Sequence, residues 1–214
     1  MRKYNLLAIL LTFLAAYSIV EGAGIEDAKA YSKNSSIQWV WATEAINHYS
    51  WNGNEYVLDV GCGDGKITAL IAKDKVPNGS VIGLDISQNM IQEASTNFQL
   101  HDYPNLSFVK EDIVASRLEN KFDLVTSFCC LNWVLEQETA LQNIHKSLVS
   151  GGKFLLVVAE KNSNDFLSLN EKLSKSEKWK LHLPEFKNPN IYFTKDKYIS
   201  LLKDAGFSEI ESKV

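Results

Sequence analysis

The chain has 214 residues, of which 45% are hydrophobic and 22% are charged, and this length and balance fit one globular domain with a core of its own. The composition excludes disorder, collagen and coiled coil as descriptions of the whole chain. The formal net charge is −4, and no run of Lys or Arg forms the basic surface that a nucleic-acid-binding protein needs. We therefore expect no nucleic-acid partner.

The N-terminal segment differs in character from the rest of the chain. Arg2 and Lys3 precede an apolar run from Leu6 to Val20, and small residues follow it, which is the pattern of a secretory signal. The run is shorter than the roughly 20 residues that span a bilayer, and a buried or amphipathic helix is the alternative interpretation. We predict a signal-like or hydrophobic segment at residues 1–24, which would be the only part to associate with a membrane, and a folded domain at residues 25–214.

The cysteines, in contrast to the N-terminal segment, favour a cytoplasmic location. An odd number of them, with Cys129 and Cys130 adjacent and Cys62 far away, is a poor disulfide framework and is typical of a reduced, cytoplasmic protein. The sequence therefore leaves export and a cytoplasmic location both open. The histidines show no ligand spacing, and neither CxxC nor HExxH occurs, so we predict no metal site.

From residue 50 onward, short β-branched runs alternate with helical stretches. Runs such as VLDV and FDLVTSF are apolar on both faces, as in a sheet that helices cover on both sides. The alternation predicts an α/β fold, with a three-layer, doubly wound, mainly parallel sheet. The predicted strands are Tyr56–Val60, Ser80–Asp85, Leu106–Lys110, Phe122–Ser127, Lys153–Ala159 and Phe207–Lys213. The predicted helices are Ile37–Tyr49, Lys66–Lys73, Gln88–Leu100, Leu135–Leu148, Asp165–Ser174 and Lys195–Ala205, with Ser87 as an N-cap.

The most informative stretch is YVLDVGCGDGKIT at Tyr56–Thr68. A strand leads directly into Gly61, Gly63 and Gly65, where the absence of side chains lets the backbone approach a ligand. The next strand ends at Asp85, where a carboxylate can accept hydrogen bonds from both hydroxyls of a ribose. The pattern predicts a nucleoside-containing cofactor at the carboxyl ends of the strands.

Two cofactors fit this loop, NAD and S-adenosylmethionine. The dinucleotide fingerprint requires a third glycine where this chain has Lys66, and the chain lacks the Tyr-x-x-x-Lys pair of short-chain dehydrogenases. The negative charge of Asp59, just before the loop, suits the methionyl amine of S-adenosylmethionine better than a pyrophosphate. The sequence favours S-adenosylmethionine and leaves an NAD-dependent oxidoreductase as the alternative.

The segments VLDVGCGDG, GLDIS and Glu111–Ile113 (EDI) resemble the successive motifs of class I S-adenosylmethionine-dependent methyltransferases, over about residues 30–210. The resemblance implies a Rossmann-like fold, with S-adenosyl-L-methionine as cofactor. The family's sheet ends in a hairpin, so the chain is expected to lack the last strand. The resemblance implies that Gly61 and Gly63 line the methionine portion, which Asp59 helps to orient, and that Asp85 holds the ribose. Asp112 would accept from the adenine amino group, with Ile86 and Ile113 beside the ring, and Cys62 and Ser127 are further expected cofactor-binding residues.

A narrower likeness concerns the methyl acceptor. FDLVTSFCCLNWV, SKSEKW and AYSKNSSIQ are similar to insect juvenile hormone acid methyltransferases and their bacterial relatives, which esterify a carboxylate on an apolar chain. The likeness implies that Gln38 and Trp133 lie near the acceptor carboxylate, although Asn132 replaces the usual His. A carboxylate is already ionised at neutral pH, so no general base is needed. We expect methyl transfer to a small-molecule acceptor, with a carboxylic acid as the first candidate. The alternative is a non-catalytic cofactor-binding protein of the same fold.

Overall fold

The computed structural model of the protein describes residues 28–160, 172, 175–178 and 190–213. The signal-like residues 1–24, and all of the predicted helix at 165–174 except Lys172, lie outside this part of the chain. The strands are β1 (Tyr56–Val60), β2 (Ser80–Asp85), β3 (Leu106–Lys110), β4 (Phe122–Phe128) and β5 (Leu148–Val157). The α-helices are α1 (Ala28–Asn34), α2 (Ser36–His48), α3 (Lys66–Leu70), α4 (Gln88–Asn97), α5 (Gln137–Ser147) and α6 (Lys195–Asp204).

The five strands form one sheet in the order β3-β2-β1-β4-β5, and all neighbouring strands are parallel. Helices α2 and α3 pack on one face, and α5 and α6 pack on the other. The predicted three-layer, doubly wound sheet is therefore confirmed. Because the strand order reverses between β1 and β4, a crevice opens at the carboxyl ends of these strands, which is where ligands bind in open α/β sheets.

The first three strands have the predicted bounds, whereas β5 begins five residues before the predicted start. Leu148 pairs with Phe122, and regular pairing resumes at Lys153 opposite Leu124 after an irregularity. The predicted helix at Lys66–Lys73 is α3 followed by a π-helical turn at Ile71–Lys75. That turn closes with a hydrogen bond from the Val76 amide to the Ile71 carbonyl.

The predicted strand at Phe207–Lys213 is wrong, since this segment pairs with no strand among the described residues. Phe207 packs edge-on against the His145 ring, with ring centroids 5.0 Å apart. Farther along, Lys213 Nζ lies 3.2 Å from Glu44 Oε1 on α2. Phe207 thus packs against the core through its side chain and does not pair in a sheet. Within the described ranges, no helix has both the length and the apolar character needed to cross a bilayer.

Candidate functional site

The glycine loop after β1 is tightly constrained. Gly61, Gly63 and Gly65 have φ angles of +75°, +54° and +80°, a region that favours glycine. A Cβ on Gly61 would overlap the Cys130 side chain, and one on Gly65 would lie 2.7 Å from the Phe108 ring. The loop is therefore packed too closely against its neighbours for larger residues at these two positions.

Asp85 braces this loop from the end of β2. Its Oδ2 accepts a hydrogen bond from the Gly63 amide at 2.9 Å, and its Oδ1 accepts one from the Ser87 amide at 2.9 Å. Burial raises the pKa of Asp85, and these two amides oppose the shift. The carboxylate thus lies beside the glycine loop, and the Ser87 hydroxyl caps α4 as predicted by accepting from the Met90 amide.

Asp59 lies beneath the loop and is only 2% exposed. Its two oxygens accept hydrogen bonds from the hydroxyls of Thr68 and Thr126, each at 2.7 Å. Burial raises the pKa of Asp59 to about 6, although both hydroxyl bonds lower it. Asp59 therefore joins β1 to α3 and β4, and it also lines a cavity of about 30 Å³ beside Gly61, Cys62 and Gly63.

The residues assigned to the adenine side differ in exposure. Ile86 is 38% exposed, whereas Ile113 is 4% exposed and packs in the core. Asp112 Oδ1 accepts a hydrogen bond from the Val114 amide at 2.9 Å, which holds the turn after β3. Ser127 is fully buried and donates its hydroxyl to the Val60 carbonyl at 2.9 Å, so its side chain links β4 to β1.

The loop after β4 carries two thiols and an exposed indole. Cys129 has a φ of +57°, and its amide donates to the Val157 carbonyl at 2.8 Å. Burial raises the pKa of Cys129 to about 11 and that of Cys130 to about 12, so both thiols are protonated at neutral pH. Trp133 ends a 3₁₀ turn at Leu131–Trp133 and is 47% exposed.

The two residues expected near the acceptor lie on different walls of the site. Gln38, on α2, lines the small cavity beside the glycine loop, and its buried Oε1 has no hydrogen-bond partner. Trp133 does not line that cavity. The structure therefore brings Gln38 together with the cofactor loop and places Trp133 on the loop after β4.

Two further residues at the site were missed by the sequence analysis. The Tyr31 ring lies 3.6 Å from the position that a Cβ on Gly63 would occupy. Lys66 Nζ donates to the Ser32 carbonyl at 2.5 Å and pairs with Asp64 Oδ2 at 3.2 Å. Lys66 stands where the dinucleotide fingerprint has its third glycine, and this difference could have marked it as a site residue. No spacing in the sequence shows that α1 folds back over the loop.

These features fit S-adenosylmethionine. The glycine loop exposes backbone for close approach, and Asp85 is available at the end of β2 for a ribose. The unpartnered Gln38 Oε1 is a hydrogen-bond acceptor of the kind that an ammonium group requires. Among the residues that the structure describes, no group of three or more His, Cys, Asp or Glu side chains is arranged to hold a metal ion.

A parallel sheet with this strand order, and a glycine loop braced by an acidic residue at the end of β2, define a Rossmann-like domain for a nucleoside-containing cofactor. The sequence model of the family described as "Methyltransferase domain" matches residues 52–206. The chain therefore belongs to the methyltransferase domain family. It is an S-adenosylmethionine-dependent methyltransferase, and its cofactor is S-adenosyl-L-methionine, as predicted.

Individual relatives agree with this assignment. The 235L protein of Invertebrate iridescent virus 6, which is named as a methyltransferase, is 30% identical over 198 residues, or 92% of this chain and 72% of that protein. Juvenile hormone acid O-methyltransferase of Drosophila melanogaster is 32% identical over 167 residues, or 73% of this chain and 55% of that protein. The chain thus spans between about half and three quarters of the length of these relatives.

A solved structure shares the fold. Phosphoethanolamine N-methyltransferase 2 of Haemonchus contortus, in complex with phosphomonomethylethanolamine and S-adenosylhomocysteine, aligns with a TM-score of 0.66. The sequences are 20% identical, and the alignment covers 81% of this chain and 38% of that one.

Proposed function

We propose that the protein transfers a methyl group from S-adenosylmethionine to a carboxylate oxygen of a small apolar acid. The observation that carries this proposal is the partial burial of Cys129 and Cys130 and the burial of Tyr198, since burial disfavours their charged forms. Burial raises the pKa values of Cys129 and Cys130 to about 11 and 12, and it raises that of Tyr198 in the same direction. A general base works best with a pKa near the operating pH, so these groups are poor bases.

Asp59 has a pKa closer to neutral pH, but it is poorly placed to act as a general base. Asp59 has a pKa of about 6, but it is 2% exposed and both of its oxygens already accept hydroxyl hydrogen bonds. An acceptor that arrives ionised avoids the need for a base, and a carboxylic acid is ionised at neutral pH. The chemistry of the site therefore favours a carboxylate over an amine or an alcohol.

The cofactor supplies a methyl group bonded to a positively charged sulfur, and its transfer to a carboxylate moves no proton. The residues of this chain then act by binding and orientation, which contribute roughly 7–11 kcal/mol in well-oriented reactions. Asp85 and the glycine loop hold the donor, and the Trp133 indole N–H donates to one acceptor oxygen. Trp133 and Leu135, which are 47% and 68% exposed, provide apolar contact surface for the body of the acid.

The relatives support the same class of acceptor. The name of the D. melanogaster relative describes O-methylation of an acid. Of the three segments that resemble juvenile hormone acid methyltransferases, FDLVTSFCCLNWV includes the turn that carries Trp133. Asn132 is the point of departure within that turn, and its buried side chain hydrogen-bonds to backbone groups of Ala159 and Ile191.

The test compares three acceptors that share one apolar chain. The full-length protein is incubated with S-adenosylmethionine and dodecanoic acid, dodecylamine or dodecanol, and methylated products are identified by mass spectrometry. We expect the methyl ester of the acid, with kcat/KM nearly constant between about pH 6.5 and 8.5, because an acid that is already ionised needs no proton removed before methyl transfer. Trp133→Phe should raise KM for the acid and leave affinity for S-adenosylhomocysteine unchanged.

Preferential methylation of the amine, with a rate that rises with pH, would contradict the proposal. Tight binding of S-adenosylhomocysteine without turnover of any of the three acceptors would instead support the non-catalytic alternative.

A further inference from the structure

Helix α1 lies across the glycine loop and presents an aromatic ring to it. The Tyr31 ring approaches within 3.6 Å of where a Cβ on Gly63 would lie. The Gly63 amide points to Asp85 Oδ2 at 2.9 Å. The ring and the loop therefore bound a narrow space, with backbone on one side and an aromatic ring on the other.

Several carboxylates surround this space, and the Lys66 ammonium group, which also lines it, pairs with Asp64. Tyr31 lines the cavity of about 30 Å³ together with Asp59, Asp64 and Gly63. Burial is the largest cause that raises the pKa of Tyr31, and the charges of Asp64 and Asp85 and the thiols of Cys129 and Cys130 act in the same direction. The phenol is therefore neutral at physiological pH, and the ring lies near both the loop after β1 and the loop after β4.

Lys66 holds α1 in this position. Its ammonium group donates to the Ser32 carbonyl, one residue after Tyr31, at 2.5 Å. The same group pairs with Asp64 Oδ2 in the glycine loop at 3.2 Å. The Lys66 ammonium group thus links α1, which carries Tyr31, to the glycine loop.

We propose that Tyr31 contacts the bound donor and recognises its positive charge. Cations are attracted to the faces of aromatic rings, most strongly where water is excluded, and the neighbouring carboxylates favour a cation in the same space. S-adenosylmethionine carries a sulfonium cation, whereas its product S-adenosylhomocysteine carries a neutral thioether. Tyr31 then favours the donor over the product. This inference depends on the identity of the cofactor and not on that of the methyl acceptor.

The test measures the two cofactor forms separately by calorimetry on the full-length protein. We expect Tyr31→Leu to weaken S-adenosylmethionine binding about tenfold, or 1.4 kcal/mol, and S-adenosylhomocysteine binding by no more than about twofold. Tyr31→Phe, which keeps the ring, should preserve the ratio of the two dissociation constants. Tyr49→Leu is the matched control. Tyr49 is a partly buried tyrosine that directly follows the C-terminal end of α2 and packs on Trp51.

A second variant tests the position of α1. Lys66→Gln should weaken S-adenosylmethionine binding more than S-adenosylhomocysteine binding, because Lys66 holds the helix that carries the Tyr31 ring. Equal losses for both ligands in Tyr31→Leu would overturn the proposal and leave the ring a packing role. A changed ratio in Tyr31→Phe would overturn it too, since the hydroxyl would then be responsible. If Tyr31→Leu fails to fold, Tyr31→Met provides the same comparison with a flexible side chain.

Discussion

Asp59 shows how a single residue at the site affects stability. Its pKa of about 6 in the folded protein lies above the 3.8 of an unperturbed aspartate. Since the folded state holds the proton more tightly, ionisation of Asp59 destabilises the fold. This cost is absent below about pH 4 and fully present above about pH 6. Relative to Asp59→Asn, the wild-type protein should lose about 2–3 kcal/mol of unfolding free energy between pH 4 and 7. Urea titrations at several pH values measure this difference, and parallel pH curves for the two proteins would contradict it.

A second prediction concerns two glycines with nearly the same backbone conformation. Gly61 and Gly151 have φ angles of +75° and +79°, but a Cβ on Gly61 would overlap Cys130, while one on Gly151 would meet no atom within 4 Å. We expect Gly151→Ala to cost about 1–2 kcal/mol from backbone strain alone. Gly61→Ala should cost a further 1–3 kcal/mol or so from overpacking.

Thermal or urea unfolding of both variants measures these costs. The double variant Gly61→Ala with Cys130→Gly, compared with Cys130→Gly alone, should recover most of the additional loss, because it removes both overlapping atoms, Sγ and Cβ. Equal destabilisation by Gly61→Ala and Gly151→Ala would show that the Cys130 contact is not responsible.

At the scale of elements, the Asn132 side chain links the 3₁₀ turn at Leu131–Trp133 to two other segments of the chain. Its Nδ2 donates to the carbonyls of Ala159 and Ile191 at 3.1 and 3.0 Å, and its Oδ1 accepts from the Ala159 amide at 2.9 Å. The 3₁₀ turn that carries Trp133 is thus tied to the chain just after β5 and just before α6. We infer that Asn132 positions Trp133 for the acceptor without touching the donor.

The matched control for Asn132 is Asn105, at the start of β3. Its Nδ2 also donates to two carbonyls, those of Ala72 and Val76, at 2.9 and 3.0 Å. We expect Asn132→Ala and Asn105→Ala to cost comparable stability, about 1–3 kcal/mol each. Only Asn132→Ala should raise KM in the dodecanoate assay and expose Trp133 to acrylamide quenching. Similar kinetic and quenching changes in both variants would indicate general loosening of the fold.

Some of the secondary-structure elements could be predicted from the sequence alone, and others could not. Strands β1, β2 and β4 could be predicted because most of their residues are buried on both faces of the sheet, which leaves a largely apolar run. The edge strand β3 is buried only at Leu106. The segment at residues 207–213 has some apolar residues, but a strand also requires a hydrogen-bonded neighbour, which the local sequence does not reveal. Helix α1 was missed because AKAYSKN lacks an apolar period, and its position depends on the distant contact between Lys66 and Ser32.

The whole molecule is organised around one crevice that both hydrophobic cores support. The loops after β1, β2 and β4 meet there, so cofactor binding should stabilise the entire domain. At a concentration of S-adenosylhomocysteine 100 times its Kd, linkage predicts about 2.7 kcal/mol of stabilisation. For a domain of this size, that corresponds to an increase in Tm of about 5–10 °C.

Differential scanning calorimetry measures the increase, and NAD serves as the control ligand, for which we expect no shift. Asp85→Ala should remove most of the increase at the same ligand concentration, because Asp85 supports Gly63 and is the residue expected to bind the ribose. A shift with NAD as large as that with S-adenosylhomocysteine would contradict the assigned cofactor.

The close contact between Gly61 and Cys130 has a consequence for the evolutionary history of the domain. These positions lie far apart in the sequence, yet the side chain at one occupies the space into which a side chain at the other would grow. A lineage can therefore enlarge the residue at position 61 only after position 130 has become smaller. We expect the two positions to vary together among descendants of a common ancestor. The order in which substitutions accumulate would then be constrained, with changes after β4 preceding those in the glycine loop.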